Sequence, residues 1–416
     1  MQIKILFTLI AGICVNTMYA QTSYSLQKAL QTARENNPTL KSAELNINIA
    51  QSDVITAKLR PNPVLNNQSL QLVNSSKFPA DTKWYNGENR QIWWQLTKPF
   101  QLPPVRKNKI EVANQSVKLS EKLFTETQRN LFQDVALKWL DVWTARKQWD
   151  MIIIAKANVD SLVSTNQLRL KNQVISETEL MRTQLLANQY ELQIKNAEQN
   201  YKNELANLKL IMGVQEDIGV DTSIKFITSI PEDADSLLQQ ALANRSDVQS
   251  LKSTIDVANA NIKLQKSLAT PVPELGVIYN PQNTIPYVGF FGTIEIPIFS
   301  RNQGERKKSG IIKDQAQQNL ALLQKQINTE LGTSYSSYVL QKMNLEKFKA
   351  IQQKAEQILS NVKYAYLHGG TTIVDFLEAQ RSWLDTQHDY YNNMQQFRES
   401  YIKLLYATGL INQLAQ

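Results

Sequence analysis

Two acids, Asp375 and Glu378, follow adjacent glycines, Gly369 and Gly370, within the run AYLHGGTTIVDFLEAQRS at 365–382. Three residues apart, the carboxylates lie on one face of a helix. Such a pair concentrates negative charge beside a flexible break in the helix. The plainer alternative is a solvated helix face, the usual fate of surface acids. Catalytic chemistry finds little support. His368 and His388 are the only histidines, and no phosphate-binding glycine loop or histidine relay is present. A dedicated metal site needs several converging His, Cys or carboxylate ligands, and none is legible. The chain is therefore expected not to be an enzyme and to hold no catalytic residue, resident metal or cofactor.

The only cysteine, Cys14, falls within the first twenty residues. There Lys4 precedes the apolar run ILFTLIAGICV, which is too short to cross a bilayer, and MYA ends at Ala20. That pattern is a secretory signal peptide cleaved after Ala20. Ile13 stands before Cys14 where a lipid-attachment motif wants a small residue, so lipidation is not expected. The mature chain then has no disulfide and no thiolate metal site. The net charge of +8 is spread along the sequence. An exported chain without a basic–aromatic cluster is not expected to bind nucleic acid.

The elements that must position the acids are long. Prolines cluster at 61–63, 99–104 and 271–297, and the tracts between them predict long helices. With a mean hydropathy of −0.36, no helix is greasy enough to span a membrane. The sequence also resembles itself. SLQKALQTARENNPTLKSA at 25–43 matches SLLQQALANRSDVQSLKST at 236–254, and LRPNPVL at 59–65 matches ATPVPEL at 269–275. RLKNQVISETELMRTQ at 169–184 matches YLHGGTTIVDFLEAQR at 366–381, and LKLIMG ending at Gly213 matches LLYATG ending at Gly409. Four matches in one order predict a duplicated unit, 21–213 and 234–416, joined by a linker over 214–233.

Each unit predicts a helix (24–59, 234–269), a strand hairpin (63–100, 273–299), a very long helix (104–171, 305–367), a short break and a return helix (176–212, 372–408). The return helices carry coiled-coil spacing. In the strands, Ile92, Trp94 and Leu96 oppose Gln91, Gln95 and Thr97, while Val288, Phe290, Ile294, Ile296 and Ile298 oppose Gly289, Thr293 and Glu295. Segments of this length, apolar on one face, suit a membrane β-barrel, and Trp84, Trp93, Trp94 and Tyr287 suit its interfaces. Four strands cannot close a barrel, and an open edge in hydrocarbon leaves backbone groups unsatisfied. Three chains would supply twelve strands with every edge paired.

AYLHGGTTIVDFLEAQRS, IPIFSRNQGERKKS at 296–309, KLRPNPVL at 58–65 and LLYATG together resemble the TolC-type outer membrane efflux proteins over essentially the whole mature chain. RPNPVL and SRNQGE look most like the branch serving heavy-metal and related cation pumps. The resemblance implies a mainly α fold with membrane β-structure: long antiparallel coiled-coil hairpins and four strands per protomer. It implies a homotrimer with a twelve-stranded barrel in the lipid of a Gram-negative outer membrane and a twelve-helix periplasmic α-barrel. It implies a passive duct docked to a periplasmic adaptor and an inner-membrane pump of the resistance-nodulation-division type. The hairpin tips would face the periplasm, turning at Gly369, Gly370 and Thr371 in one and from Asn172 to Ser176 in the other. Asp375, Glu378 and Tyr366 would line the constriction. Thr371 stands where family members carry an arginine, leaving Arg182 and Arg381 as substitutes for a latch. A drug-efflux or type I secretion channel is the alternative, and a non-pore periplasmic coiled-coil scaffold is the alternative of another class.

Overall fold

The computed structural model describes residues 22–84, 86–223, 234–282 and 285–415. The leader with Cys14, and the later part of the linker, lie outside the described residues. A short strand β1 (Thr22–Tyr24) leads to α1 (Leu26–Asn36), α2 (Pro38–Lys58), β2 (Val64–Gln71), β3 (Arg90–Pro99), α3 (Pro103–Lys171) and α4 (Glu177–Met212). Then follow β4 (Ile218–Val220), α5 (Ala234–Asn244), α6 (Ser246–Ser267), β5 (Pro273–Gln282), β6 (Ile285–Ile294), α7 (Gln303–Leu367) and α8 (Ile373–Thr408). At 69 residues α3 is about 100 Å long. No described helix is long and apolar enough to cross a membrane.

Three expectations are corrected. The helix expected over 24–59 is two helices, because Pro38 can only begin a helix here. Asn37 caps the second, its Oδ1 accepting from the Leu40 amide at 2.9 Å. The helix over 234–269 also breaks, at Arg245, without a proline to announce it. The last strand stops at Ile294 rather than 299. Pro297 has no N–H to give a ladder, and the Ile298 amide turns back onto the Ile296 carbonyl at 2.9 Å. The small parallel pair β1–β4 was too short to show any alternation.

The main sheet runs β2-β3-β5-β6, all antiparallel. Its register settles the faces. Leu65 pairs with Leu96, Leu96 with Val277 and Val277 with Phe290; Trp94 pairs with Tyr279 and Tyr279 with Val288. These rows form one apolar and solvent-exposed face. Trp93 and Tyr287 lie on the other face, where they pair with Gln68 and Asn280. Neighbouring tryptophans on a strand must point oppositely, so of the four expected interface aromatics only Trp94 is on the apolar face. Tyr279, not anticipated, stands beside it. Trp84 lies exposed in the loop between β2 and β3.

Below the sheet, the largest core gathers α1, α3, α4, α8 and the β1–β4 pair around Phe132, Trp139 and Leu140. Trp139 donates its indole N–H to the Tyr24 carbonyl at 2.9 Å. Here both return helices end on glycine in the left-handed conformation, Gly213 at φ 71° and Gly409 at φ 75°. Each end docks on the break between two earlier helices. Asn37 donates to the Ile211 carbonyl at 2.7 Å, and Arg245 donates to the Ala407 carbonyl at 3.0 Å. The two breaks thus hold the same place. The self-alignment of the first helices was displaced from it by about one helical turn, a shift that leaves the same face buried.

Arg245 also bonds Asp247 at 2.7 Å and Glu330 at 2.7 Å, and Arg129 clasps Glu126 at 2.8 Å and reaches Asp247 at 3.3 Å. Burial alone would lower Arg245, but Asp247 and Glu330 outweigh it and hold it above its ordinary value. Burial likewise pushes Asp247 up, and the two arginines overcome it to hold it low. This network ties α3, α6 and α7 to the negative end of α8.

A Cβ on Gly213 would meet the Asn36 carbonyl oxygen at 2.6 Å. Gly213→Ala should therefore cost more than the ~1–2 kcal/mol of left-handed strain alone. Thermal melting followed by circular dichroism checks this, and a melting temperature equal to that of the parent protein would refute the docking role.

Candidate functional site at the hairpin tips

Both hairpins turn by the same backbone device. At the end of α3 the Val174 amide bonds the Arg169 carbonyl at 2.8 Å and Gln173 bonds Leu170 at 2.9 Å. At the end of α7, Gly370 bonds Ala365 at 2.8 Å and Gly369 bonds Tyr366 at 3.2 Å. This is the Schellman arrangement, which needs one left-handed residue. Gly369 takes it at φ 75°, and Gln173 takes it at φ 55° in the other hairpin. Gly370 is not left-handed, and a Cβ there would meet Ala365 at an ordinary 3.5 Å. The turn thus depends on one glycine of the pair.

The acids divide. Ser176 caps α4 in a capping box with Glu179, and Thr372 caps α8 in a capping box with Asp375. The Asp375 carboxylate accepts from the Thr372 amide at 3.1 Å and from the Thr371 and Thr372 hydroxyls at 2.7 Å each. Those bonds, Thr372 first and then Thr371, hold its carboxyl below the usual carboxylate range. Glu378 is exposed one turn further on. Among the described residues it has no hydrogen-bond or ion-pair partner. Asp375 therefore builds the start of α8, and Glu378 is the acid outside the cap.

Tyr366 is buried, at 3% exposure, rather than presented at a mouth. It belongs to a seam between the hairpins. Its hydroxyl donates to Asn166 Oδ1 at 2.9 Å, and Asn166 Nδ2 donates to Thr183 Oγ1 at 3.0 Å. The Arg169 guanidinium lies 4.7 Å from the Tyr366 ring and donates to the Tyr366 carbonyl at 3.3 Å. Around these sit Val159, Leu162, Leu186, Ile373 and Phe376. Asn166, Arg169, Thr183 and Glu179 were missed in the sequence. Asn166 could have been found, because Ala155, Val159, Leu162 and Asn166 continue one coiled-coil seam, where a polar residue is a registration device.

The two arginines expected as a latch, Arg182 and Arg381, are both exposed, and neither forms an ion pair among the described residues. Arg381 instead lies near Tyr190, whose phenol burial pushes up to about 12. His368 stacks on Tyr364 at 4.1 Å and its Nδ1 lies 2.8 Å from the Tyr364 carbonyl, a local surface role.

Paired coiled-coil hairpins fastened at their tips, beneath an open antiparallel sheet with an exposed apolar face, define a class: channels that join a membrane barrel to a helical duct. A family model for outer membrane efflux proteins matches residues 29–214 and 237–410, and the chain belongs to that family. No curated protein matches the sequence. Solved structures share the fold. The CusC crystal structures, described in terms of folding and transmembrane channel formation, have a TM-score of 0.76 at 17% identity over 94% of this chain and 93% of that one. The Campylobacter jejuni CmeC outer membrane channel has a TM-score of 0.75 at 15% identity, over 92% and 85%. The open Neisseria gonorrhoeae MtrE outer membrane channel has 0.73 at 16%, over 92% and 89%. The fold is TolC-like, and the protein is an outer membrane efflux channel, not an enzyme.

Gly369→Ala should destabilise the tip by about 1 kcal/mol, Gly370→Ala should be near neutral, and Gln173→Gly should be neutral or favourable by a few tenths of a kcal/mol. Hydrogen exchange at tip amides reads the differences. In the same assay the Asp375 cap should protect α8 at pH above the unfolded value of about 4 and lose its effect as pH falls through the lowered folded value. Equal protection in both glycine variants would refute the assignment.

Proposed function

We propose that three copies of this chain close one duct of a tripartite efflux system, receiving cargo from a periplasmic adaptor and an inner-membrane resistance-nodulation-division pump. The observation that carries the reading is the pair of open edges, β2 and β6, on a sheet whose outer face is apolar. Unpaired strand edges cost several kcal/mol per group in hydrocarbon, so the sheet needs other copies of itself. Exposed apolar stripes support the same closure below. Leu45, Ile49 and Ile55 lie bare on α2 with Leu59 just past its end, and Ile311, Leu322, Met343, Ile351 and Ile358 lie bare on α7. At heptad-like steps these suit helix packing between protomers. Family members work as trimers with such partners in general, and the leader ending at Ala20 would export the chain.

We further propose that the tips gate the duct and that its cargo is metal cations. Tripled, Asp375 and Glu378 form two acidic rings, one fixed by its cap and one free. Widening the mouth by moving α7 and α8 away from α3 and α4 must break the buried Tyr366–Asn166 bond. Tyr366→Phe leaves Asn166 short of a donor, a loss of about 1–3 kcal/mol to the closed arrangement. In planar bilayers the purified protein should show higher conductance with Tyr366→Phe, and lower cation preference with Asp375→Asn and Glu378→Gln combined. Parental conductance and selectivity in all of these would remove the gate. For cargo, a deletion strain should grow poorly on graded zinc, cobalt, cadmium, copper or silver. A defect confined to detergents and dyes would assign the channel to organic compounds instead.

A further inference from the structure

In the connector after β6, Pro297 is half-buried but three large apolar side chains are bare. Ile296 is 72% exposed, Ile298 64% and Phe299 91%. Water-facing apolar groups of this size, concentrated in one short segment, mark a contact surface. Arg301 holds the segment bent, its Nε donating to the Pro297 carbonyl at 3.0 Å. Across the sheet, at the other edge, lies an open cavity of about 530 Å³ where the end of α2, the end of β3 and the start of α3 meet. Phe100, Pro103 and Ile110 give it an apolar lining, while Arg60, Lys98, Arg106 and Lys107 surround it, with Glu111 the one acid. Among the described residues Lys98 and Arg106 bond only the carbonyls of Pro61 and Lys58. Among the described residues none of the four cations is in an ion pair.

We propose that this cavity is a socket and that the Glu295–Ser300 connector of a second copy of this chain is its plug. The inference rests on the ring closure proposed above. Within one chain, the exit of β3 meets the entry of β5, the Phe100 amide donating to the Pro273 carbonyl at 2.9 Å. In a closed ring the exit of β6 stands in that same relation to the entry of the next protomer's β2, and that entry, Arg60 and Pro61, is the wall of the socket. Strand direction agrees: β6 runs toward the helices and β2 away from them, so the two edges pair antiparallel with these ends together. Chemistry agrees as well. The plug supplies apolar bulk for the lining and an exposed carboxylate, Glu295, for the cationic rim. The two surfaces that a single chain leaves bare at this level are thereby covered by each other.

The test uses the mature chain, which lacks cysteine by the expected cleavage after Ala20. Phe299→Cys with Ile110→Cys is purified in detergent and oxidised, and solution mass reads trimer formation independently. The expected result is a trimer whose subunits become covalently linked, with no linking in either single variant. A trimer that fails to link overturns the socket and leaves the ring standing; a monomer overturns both. A second reading is the temperature at which the trimer dissociates. Phe299→Ser should lower it, while Val73→Ser, an equally bare position in the loop beyond β2, should not. Equal dissociation temperatures, or an anionic lipid retained in the cavity of an unlinked trimer, would also overturn the proposal.

Discussion

Backbone hydrogen bonding in a medium without water governs this molecule. A peptide group in hydrocarbon must find its partner within protein, and a four-stranded sheet leaves its two outer ladders without one. The rest of the design follows from that debt. The strands of this sheet run 8–10 residues, and their paired rows gather one apolar face while the other mixes Trp93 and Tyr287 with Gln68 and Asn280, as a sheet with lipid on one side requires. The chain meets the sheet only through proline-rich connectors, since prolines end the ladders where pairing must stop. Helices carry the remaining length because they satisfy their own backbone and so can extend far from any sheet.

Such helices still need instructions at their ends, and the chain gives these twice. Each return helix stops at a left-handed glycine packed against a break between two earlier helices. Asn37 performs the docking with an amide; Arg245 performs it with a guanidinium and enlists Asp247 and Glu330. A buried ion network of this kind is weak evidence for stability by itself, since desolvation offsets much of its attraction. Its service here is geometric. Arg129 and Arg245 aim at consecutive carbonyls, Tyr406 and Ala407, and so fix where α8 ends and how α3, α6 and α7 meet it.

Regular features were legible in the sequence, and one-residue decisions were not. Helices of 65 and 69 residues announce themselves through long stretches without proline. The alternation in β3 and β6 is likewise plain. By contrast, the break at Arg245 has no proline, and the carbonyl that Arg245 meets there, Ala407, lies far along the chain. Trp93 and Trp94 look alike in a list of aromatics, yet the pleat sends them to opposite faces. The family resemblance alone places Tyr366 at the constriction, while in the structure it is buried and bonds Asn166, two hundred residues away. Local pattern carries periodicity; it does not carry which distant polar atom completes a bond.

The tips show why two acids on one face need not share a task. A carboxylate whose Oδ2 accepts from two hydroxyls and an amide is held in one orientation and cannot follow an ion, although its Oδ1 takes no part in those bonds. Asp375 is in that position, and its counterpart in the other hairpin, Glu179, is an ordinary capping acid. A ring built from Asp375 would therefore supply a standing negative potential rather than a moving ligand. Glu378 is exposed and uncapped, so in the proposed ring it would be the acid able to follow a cation. Under the proposed gate, fixed charge beyond a buried seam, with mobile charge beside it, would let the mouth attract before it opens. The strength of the seam would then decide how far attraction alone could widen it.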